Sequence, residues 1–384
     1  MINDSILDFL LPFWIVFTTV LIIIYVSASK NIKIQLLLDW IPAILLAYIL
    51  PALLCGIFGL DFNDHTIHRL SRDLLIPFTI LVVMSSMSLI ELKKVGLKPI
   101  VVFLSGSFFI ALFPILLFIV GLVVPSIKEW LEAGDQWRGL ITVIGSWIGG
   151  SISQLVLKEA VSCPENVFLT ILIFDNLMVN LWTICMFHFI KSSRKINRSL
   201  GIFTSDIPEV ITKTVHKPIP KSWVLIILLL ISGINYFLQI SFVLQIISLS
   251  LVGLSIGNIW LGWNKKFALQ LSSILILVIM AILGLKLKIS NLTLNYMLIC
   301  VLIIWLSGHF IFMMLVAWKL KVNMAWVAVG SMANVGGIAT APAVTATYDK
   351  KWMPHAIILA VLSMATGTFW GLCSIWLIEN FMIK

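Results

Sequence analysis

Long apolar runs separated by short polar joints dominate the chain. They predict helices over approximately 7–27, 36–58, 72–90, 98–124, 138–160 and 166–190. A second set covers approximately 222–240, 242–260, 265–285, 293–318, 324–347 and 354–378. A polar stretch from Lys191 to Lys221 lies between the sets. A helix needs roughly 20 apolar residues to cover about 30 Å of hydrocarbon. The runs therefore allow 11–12 transmembrane helices. Backbone groups in lipid must be bonded within their own segment, which selects helices over open sheets. The runs also lack the alternation of a membrane barrel. The expected fold class is an all-α polytopic membrane protein.

The two sets match each other in order. Ile80-Leu-Val-Val-Met84 pairs with Ile276-Leu-Val-Ile-Met280, and Leu104-Ser-Gly-Ser-Phe108 with Leu306-Ser-Gly-His-Phe310. Gly145-Ser-Trp-Ile-Gly-Gly150 pairs with Gly330-Ser-Met-Ala-Asn-Val-Gly-Gly337, which has two extra residues. Chance self-similarity of apolar sequence explains the first match better than the glycine matches. The expected organisation is a first repeat half over 1–191, a basic cytoplasmic linker over 192–221 and a second half over 222–384.

A Gly-Gly pair costs roughly 2 kcal/mol in a helix interior relative to Ala. Ser151-Ile-Ser153-Gln154 after the first pair has the form of a capping box, and Thr340-Ala-Pro342 after the second has the form of a helix start. Both segments then read as half-helix, break, half-helix. Unpaired groups at such a break suit a ligand. Helix N-termini favour anions and carbonyls favour Na⁺. Close helix packing is the competing use of the glycines. The expected substrate contacts at the breaks are Gly149, Gly150, Ser151, Asn334, Gly336, Gly337 and Thr340.

Asp175 lies about ten residues into an apolar run, where carboxylates usually face a cavity or an ion path. With Asn176, Ser146, Ser151 and Ser153 it forms the expected cation-binding or proton-coupling set. Na⁺ at Asp175 is the metal reading, and H⁺ carried by Asp175 is the alternative. Gln154, Pro342, Asn180, Ser363 and Thr366 are supporting positions. The second half has Leu362 where the first has Asp175, so the half-sites differ chemically. Asp39 begins a helix, His65 and His68 belong to a loop, Lys158-Glu159 ends a helix near the interface, and His309 reads as a satisfied buried imidazole.

Only 11% of the residues are charged, against about 25% in soluble domains, so a water-exposed surface is excluded. The net charge of +9 is concentrated in the central stretch, which marks it as cytoplasmic. Outside it, twelve crossings divide Lys and Arg almost evenly. The N-terminus is inside if the first six helices all cross. Five cysteines without a C-x-x-C spacing read as apolar fillers. No cofactor is expected beyond a coupling ion, and no nucleic-acid partner.

Gly145-Ser-Trp-Ile-Gly-Gly-Ser151, Phe174-Asp-Asn176 and Gly330 to Val344 resemble an uncharacterised family of bacterial integral membrane proteins, one of the domain-of-unknown-function families. That family is similar to the cation/proton antiporter and anion transporter superfamily, including sodium–glutamate and bile-acid sodium symporters. The resemblance implies inverted repeats, crossed broken helices in a core domain, a scaffold that forms a homodimer, elevator-like movement and a place in the bacterial inner membrane. The family usually has Pro where Ile338 stands and often Asn where Ser153 stands. Inverted repeats need an odd number of crossings per half, so one helix is expected not to span, with 222–260 the favoured stretch. The expected function is secondary active transport of a small, anionic organic solute coupled to Na⁺ or H⁺. A passive channel is the alternative. An enzyme is not expected, because Gly149-Gly-Ser151 lacks the second glycine of a nucleophile elbow.

Overall fold

A computed structural model describes the chain except residues 1, 30, 32–33, 36–37, 39–42, 88–91, 93, 203–217, 288–295 and 384, and except the side chains of 2–8, 133 and 339. Asp39, Lys213 and Lys217 lie outside the described residues. Within them the regular structure is helical, without strands. In chain order the helices are α1 Ile2–Ser27, α2 Ala43–Phe58, α3 Thr66–Leu70, α4 Ile76–Ser85, α5 Leu97–Val123, α6 Pro125–Ala133, α7 Gln136–Ile144, α8 Gly150–Ala160 and α9 Glu165–Ser199. There follow α10 Lys221–Phe237, α11 Phe242–Ile259, α12 Lys265–Gly284, α13 Tyr296–Lys319, α14 Ala325–Val335, α15 Gly337–Ala346 and α16 Met353–Phe381. Five-residue π turns, Ser71–Leu75 and Gly145–Gly149, join α3 to α4 and α7 to α8.

Among the described residues, eight segments are long and apolar enough to cross a membrane, and α2, α10 and α14 are shorter apolar helices. Leu21, Leu230, Leu251, Ile304 and Phe17 project from these helices at half exposure or more. Hydrocarbon accommodates such faces and water does not. The architecture is that of a polytopic membrane protein. Helix α9 runs eight residues past the expected start of the linker, carrying Arg194, Lys195 and Arg198 on a helix rather than a loop.

The chain forms two compact units, each drawn from both sequence halves. The first comprises Met1–Ser86, Pro164–Asn176 and Pro218–Leu294. Its cores pack Val16, Val20, Ile67 and Ile282 in one place and Leu81, Val224, Leu228 and Leu249 in another. The Tyr48 hydroxyl donates to Glu165 Oε2 at 2.9 Å within it. His65 Nδ1 accepts from the Ile67 N–H as the cap of α3, and His68, which lies within α3 rather than in the expected loop, bonds the Phe62 carbonyl, so both histidines serve the local backbone.

The second unit comprises Met87–Cys163, Leu177–Lys217 and Asn295–Lys384. Its core includes Val102, Phe103, Ile190, Met313, Trp326 and Ala356. Here the two Gly-Gly segments do something the pattern did not predict: each folds back on itself. A helix rises 1.5 Å per residue, so residues 24 apart in a straight helix stand about 36 Å apart. Yet Arg138 Nη1 donates to the Ser162 carbonyl at 3.4 Å. A Cβ on Gly145 would meet the Gln154 backbone at 2.7 Å. Helices α7 and α8 therefore form an antiparallel hairpin with Gly149-Gly150 at its tip. Asn323 Nδ2 donates to the Tyr348 hydroxyl at 2.9 Å, which brings together the two ends of α14–α15 in the same way. Gly336-Gly337 is the second tip.

The tip backbones match. Gly149 and Gly336 have φ −110° and −103°, and Gly150 and Gly337 turn to φ +70° and +63°. At Gly150, ψ is −168°, a region essentially restricted to glycine. The helices restart at Gly150 and Gly337 without a side-chain cap. The Ser151–Gln154 capping box and the Thr340 start are thus both corrected, since the glycine turn itself begins each helix. Pro342 lies inside α15, five residues after its start. The stretch 222–260 forms two helices, as expected, of which α11 is long enough to cross a membrane and α10, with 17 residues, is a shorter apolar helix.

Candidate functional site

Within the second unit, the Asn334 side chain joins two other elements, α5 and α16. It sits two residues before the tip of the α14–α15 hairpin and is 2% exposed. Its Nδ2 donates to the Phe103 carbonyl of α5 at 3.3 Å. Its Oδ1 accepts from Ser107 Oγ of α5 at 2.9 Å and from Ser363 Oγ of α16 at 2.8 Å. Ser363 Oγ also bonds the Ile148 carbonyl, the last carbonyl before Gly149. One hydroxyl thereby links the tips of both hairpins.

That hydroxyl has one hydrogen and two oxygen acceptors. Ile148 O, Asn334 Oδ1, Ser107 Oγ and Ser363 Oγ form a buried cluster of neutral oxygens with two hydroxyl hydrogens among them. Such a set suits a hard cation, which prefers carbonyl and hydroxyl ligands.

Backbone contact makes the arrangement possible. The first tip rests on α16, where a Cβ on Gly367 would fall 2.3 Å from Gly149 Cα. Thr368 Oγ1 donates to Ser153 Oγ at 3.0 Å beside it. Trp147 anchors this hairpin against Trp305, with ring centroids 4.8 Å apart. On α5, a Cβ on Gly106 would collide with His309 and Met313, both 2.6 Å away, and press on Asn334 at 3.1 Å. A glycine there lets α14 and α13 approach together.

His309 forms a second polar chain. Its Nδ1 lies 3.1 Å from the Gly106 carbonyl, which can only accept, so Nδ1 holds the hydrogen. Nε2 then accepts from Ser331 Oγ at 3.1 Å, and Ser331 Oγ accepts from Trp182 Nε1 at 2.9 Å. The imidazole is fully buried and satisfied in its neutral form. Ser107 and His309 hold matching positions of the Leu-Ser-Gly pattern, and both reach α14.

Of the expected site residues, Gly149, Gly150, Ser153, Asn334, Gly336, Gly337, Thr340 and Ser363 belong to the hairpins or to the α16 surface against the first tip. Ser146, Ser151 and Gln154 belong to the first hairpin. Thr366 bonds backbone carbonyls of its own helix. Thr340 Oγ1 is buried against Gly336 and has no hydrogen-bond partner among the described residues. Asp175 is 3% exposed, and Asn176 donates to the Leu172 carbonyl at 2.7 Å. Both belong to the first unit, whereas Asn180 belongs to the second. Lys158 is buried and paired with Glu159 at 3.1 Å. Ser107, Ser331, Trp182 and the Ile148 carbonyl were not singled out from the sequence. Ser107 and Ser331 stood inside the repeated patterns, so the repeats held the signal.

Among the described residues, no group of three His, Cys, Asp or Glu side chains could hold a metal. Among curated proteins, none matches the chain. The family profile described as protein of unknown function (DUF819) matches residues 13–380, nearly the whole length, and the chain belongs to that family.

Proposed function

We propose that the protein is a secondary transporter of a small anionic solute driven by a Na⁺ gradient. The observation that carries this reading is the meeting of two uncapped glycine tips at Ser363 and Asn334. The oxygen cluster there fits Na⁺. Its ligands are neutral, so a bound cation leaves a positive charge that an anionic solute would balance. The first-turn N–H groups of α8 and α15 favour the same solute. The buried, unpartnered Thr340 hydroxyl supports a contact at the second tip. Asp175 is a second cation ligand or a proton carrier in this reading.

The hairpins also supply a topology. If neither crosses, each half crosses five times, and an odd number inverts the second half relative to the first. The hairpins then enter from opposite faces, as elevator-like alternating access requires. The chain's first helix then begins outside, because an inside N-terminus follows only if the first six helices all cross. The linker remains cytoplasmic in an inner membrane, and a homodimer is the proposed assembly. No catalytic step is part of this reading.

The test is uptake by the purified protein in proteoliposomes, with a panel of dicarboxylates and amino acids. An inward Na⁺ gradient should drive accumulation, with loss in Asn334→Ala and in Asp175→Ala. A pH gradient acting in its place would move the coupling to H⁺. Uptake indifferent to both gradients would mark a passive facilitator and overturn the proposal.

A further inference from the structure

The second unit carries a hydrogen-bonded joint away from the glycine tips, at the base of the α14–α15 hairpin. Asn197, near the end of α9, accepts from the Met324 N–H at 2.9 Å and donates to Asn323 Oδ1 at 2.8 Å. Asn323 Oδ1 also accepts from the Ala325 N–H at 3.0 Å. The two asparagines thus bond the first N–H groups of α14, while Asn323 holds Tyr348 beyond the end of α15. Arg194 then lies over the Tyr348 ring, 5.3 Å from its centroid.

Exposed cations surround this joint. Arg194, Lys195 and Arg198 come from α9, Lys321 from the turn before α14, and Lys350 and Lys351 from the turn after Tyr348. Among the described residues of this rim the acid is Asp349, whose carboxylate already accepts the Lys351 N–H at 2.9 Å. Beside the cations stand apolar side chains that water does not favour. Trp318 is 50% exposed and Leu200 38%. A cationic rim next to an exposed tryptophan matches the headgroup level of a bilayer. A soluble anion would use the charges and leave the apolar groups uncovered. An anionic lipid uses both, and each basic side chain near such a surface adds to the attraction.

We infer that this rim binds the headgroups of anionic phospholipids and that a headgroup on Arg194 fastens the base of the second hairpin through Tyr348 and Asn323. The site is separate from the glycine tips, and the inference does not depend on what is transported.

The full-length protein in mixed micelles tests this, with phosphatidylglycerol compared against phosphatidylcholine at equal total lipid, and with inorganic sulfate as a soluble anion. Melting is followed by tryptophan fluorescence and amide hydrogen exchange over residues 323–348. Phosphatidylglycerol should raise the melting midpoint by several degrees and slow exchange at the hairpin base severalfold. The Arg194→Gln/Lys195→Gln variant should lose most of both effects. Should that variant fail to fold, Lys350→Gln/Lys351→Gln, changed only at exposed positions, should lose part of them. Equal shifts with both lipids, full shifts in the folded variants, or reproduction of the effect by sulfate would each overturn the inference.

Discussion

At Ser363 a single hydroxyl hydrogen faces two oxygens from different hairpins. Replacing it with Ala leaves the Ile148 carbonyl and the Asn334 amide without that donor. An unsatisfied buried polar group costs about 1–3 kcal/mol. Ser363→Ala should therefore lower the melting midpoint. It should also raise the Na⁺ concentration for half-maximal uptake about tenfold, equivalent to about 1.4 kcal/mol. Unchanged Na⁺ dependence would remove Ser363 from the cation site. Gly150 makes a different demand. A Cβ there meets nothing within 4 Å, so space is not the constraint. The constraint is φ +70° with ψ −168°. Gly150→Ala should cost about 1–3 kcal/mol of stability, read as a lowered melting midpoint, with no steric clash to relieve. The sequence made these glycines conspicuous because a pair of them is costly in any helix. It could not show Ser363 joining two tips, because that contact links residues 215 and 29 positions apart.

At the scale of elements, the helices were legible and their direction was not. The apolar runs placed α5, α11, α12 and α13 within a few residues, because hydrocarbon burial and helix periodicity act locally. A run of 25 apolar residues, however, is long enough either to cross once or to go in and come back. Hydropathy is the same for both. The glycine pair announced an interruption, and the long-range contacts of Arg138 with Ser162 and Asn323 with Tyr348 decided the rest. Single cysteines in a background lacking the five native ones give a direct check. Glu132→Cys and Ser162→Cys, at exposed positions flanking the first hairpin, should both label from the same face of the membrane. Lys321→Cys and Lys350→Cys should both label from the opposite face. Labelling of the first pair from two different faces would mean that α7 and α8 together cross the membrane.

At the scale of the whole molecule, the fold-back changes the charge count that sequence alone left undecided. Twelve crossings divide Lys and Arg 16 to 10, and ten crossings divide them 18 to 8. Under the proposed ten crossings the bias toward one side strengthens, because the loops at 319–324 and 347–352 then share a side with the linker. A reporter fused after residue 384 should accordingly be active on the non-cytoplasmic face. Cytoplasmic activity would contradict ten crossings with the linker inside. The basic stretch was visible from the first, but its partners on α13 and around Tyr348 were separated from it by well over a hundred residues. Their shared location appears only once Asn197 and Asn323 are seen to bond.

The contact of Gly149 with Gly367 carries an evolutionary consequence. Two backbones touch there with hydrogen atoms alone between them, so neither position can gain a carbon while its neighbour stays in place. Neutral drift at one residue is closed off by the other, although 218 positions separate them in the gene. Descendants of this protein should keep both glycines or lose the contact as a pair. A lineage with a bulky residue at only one of the two should show a displaced first hairpin.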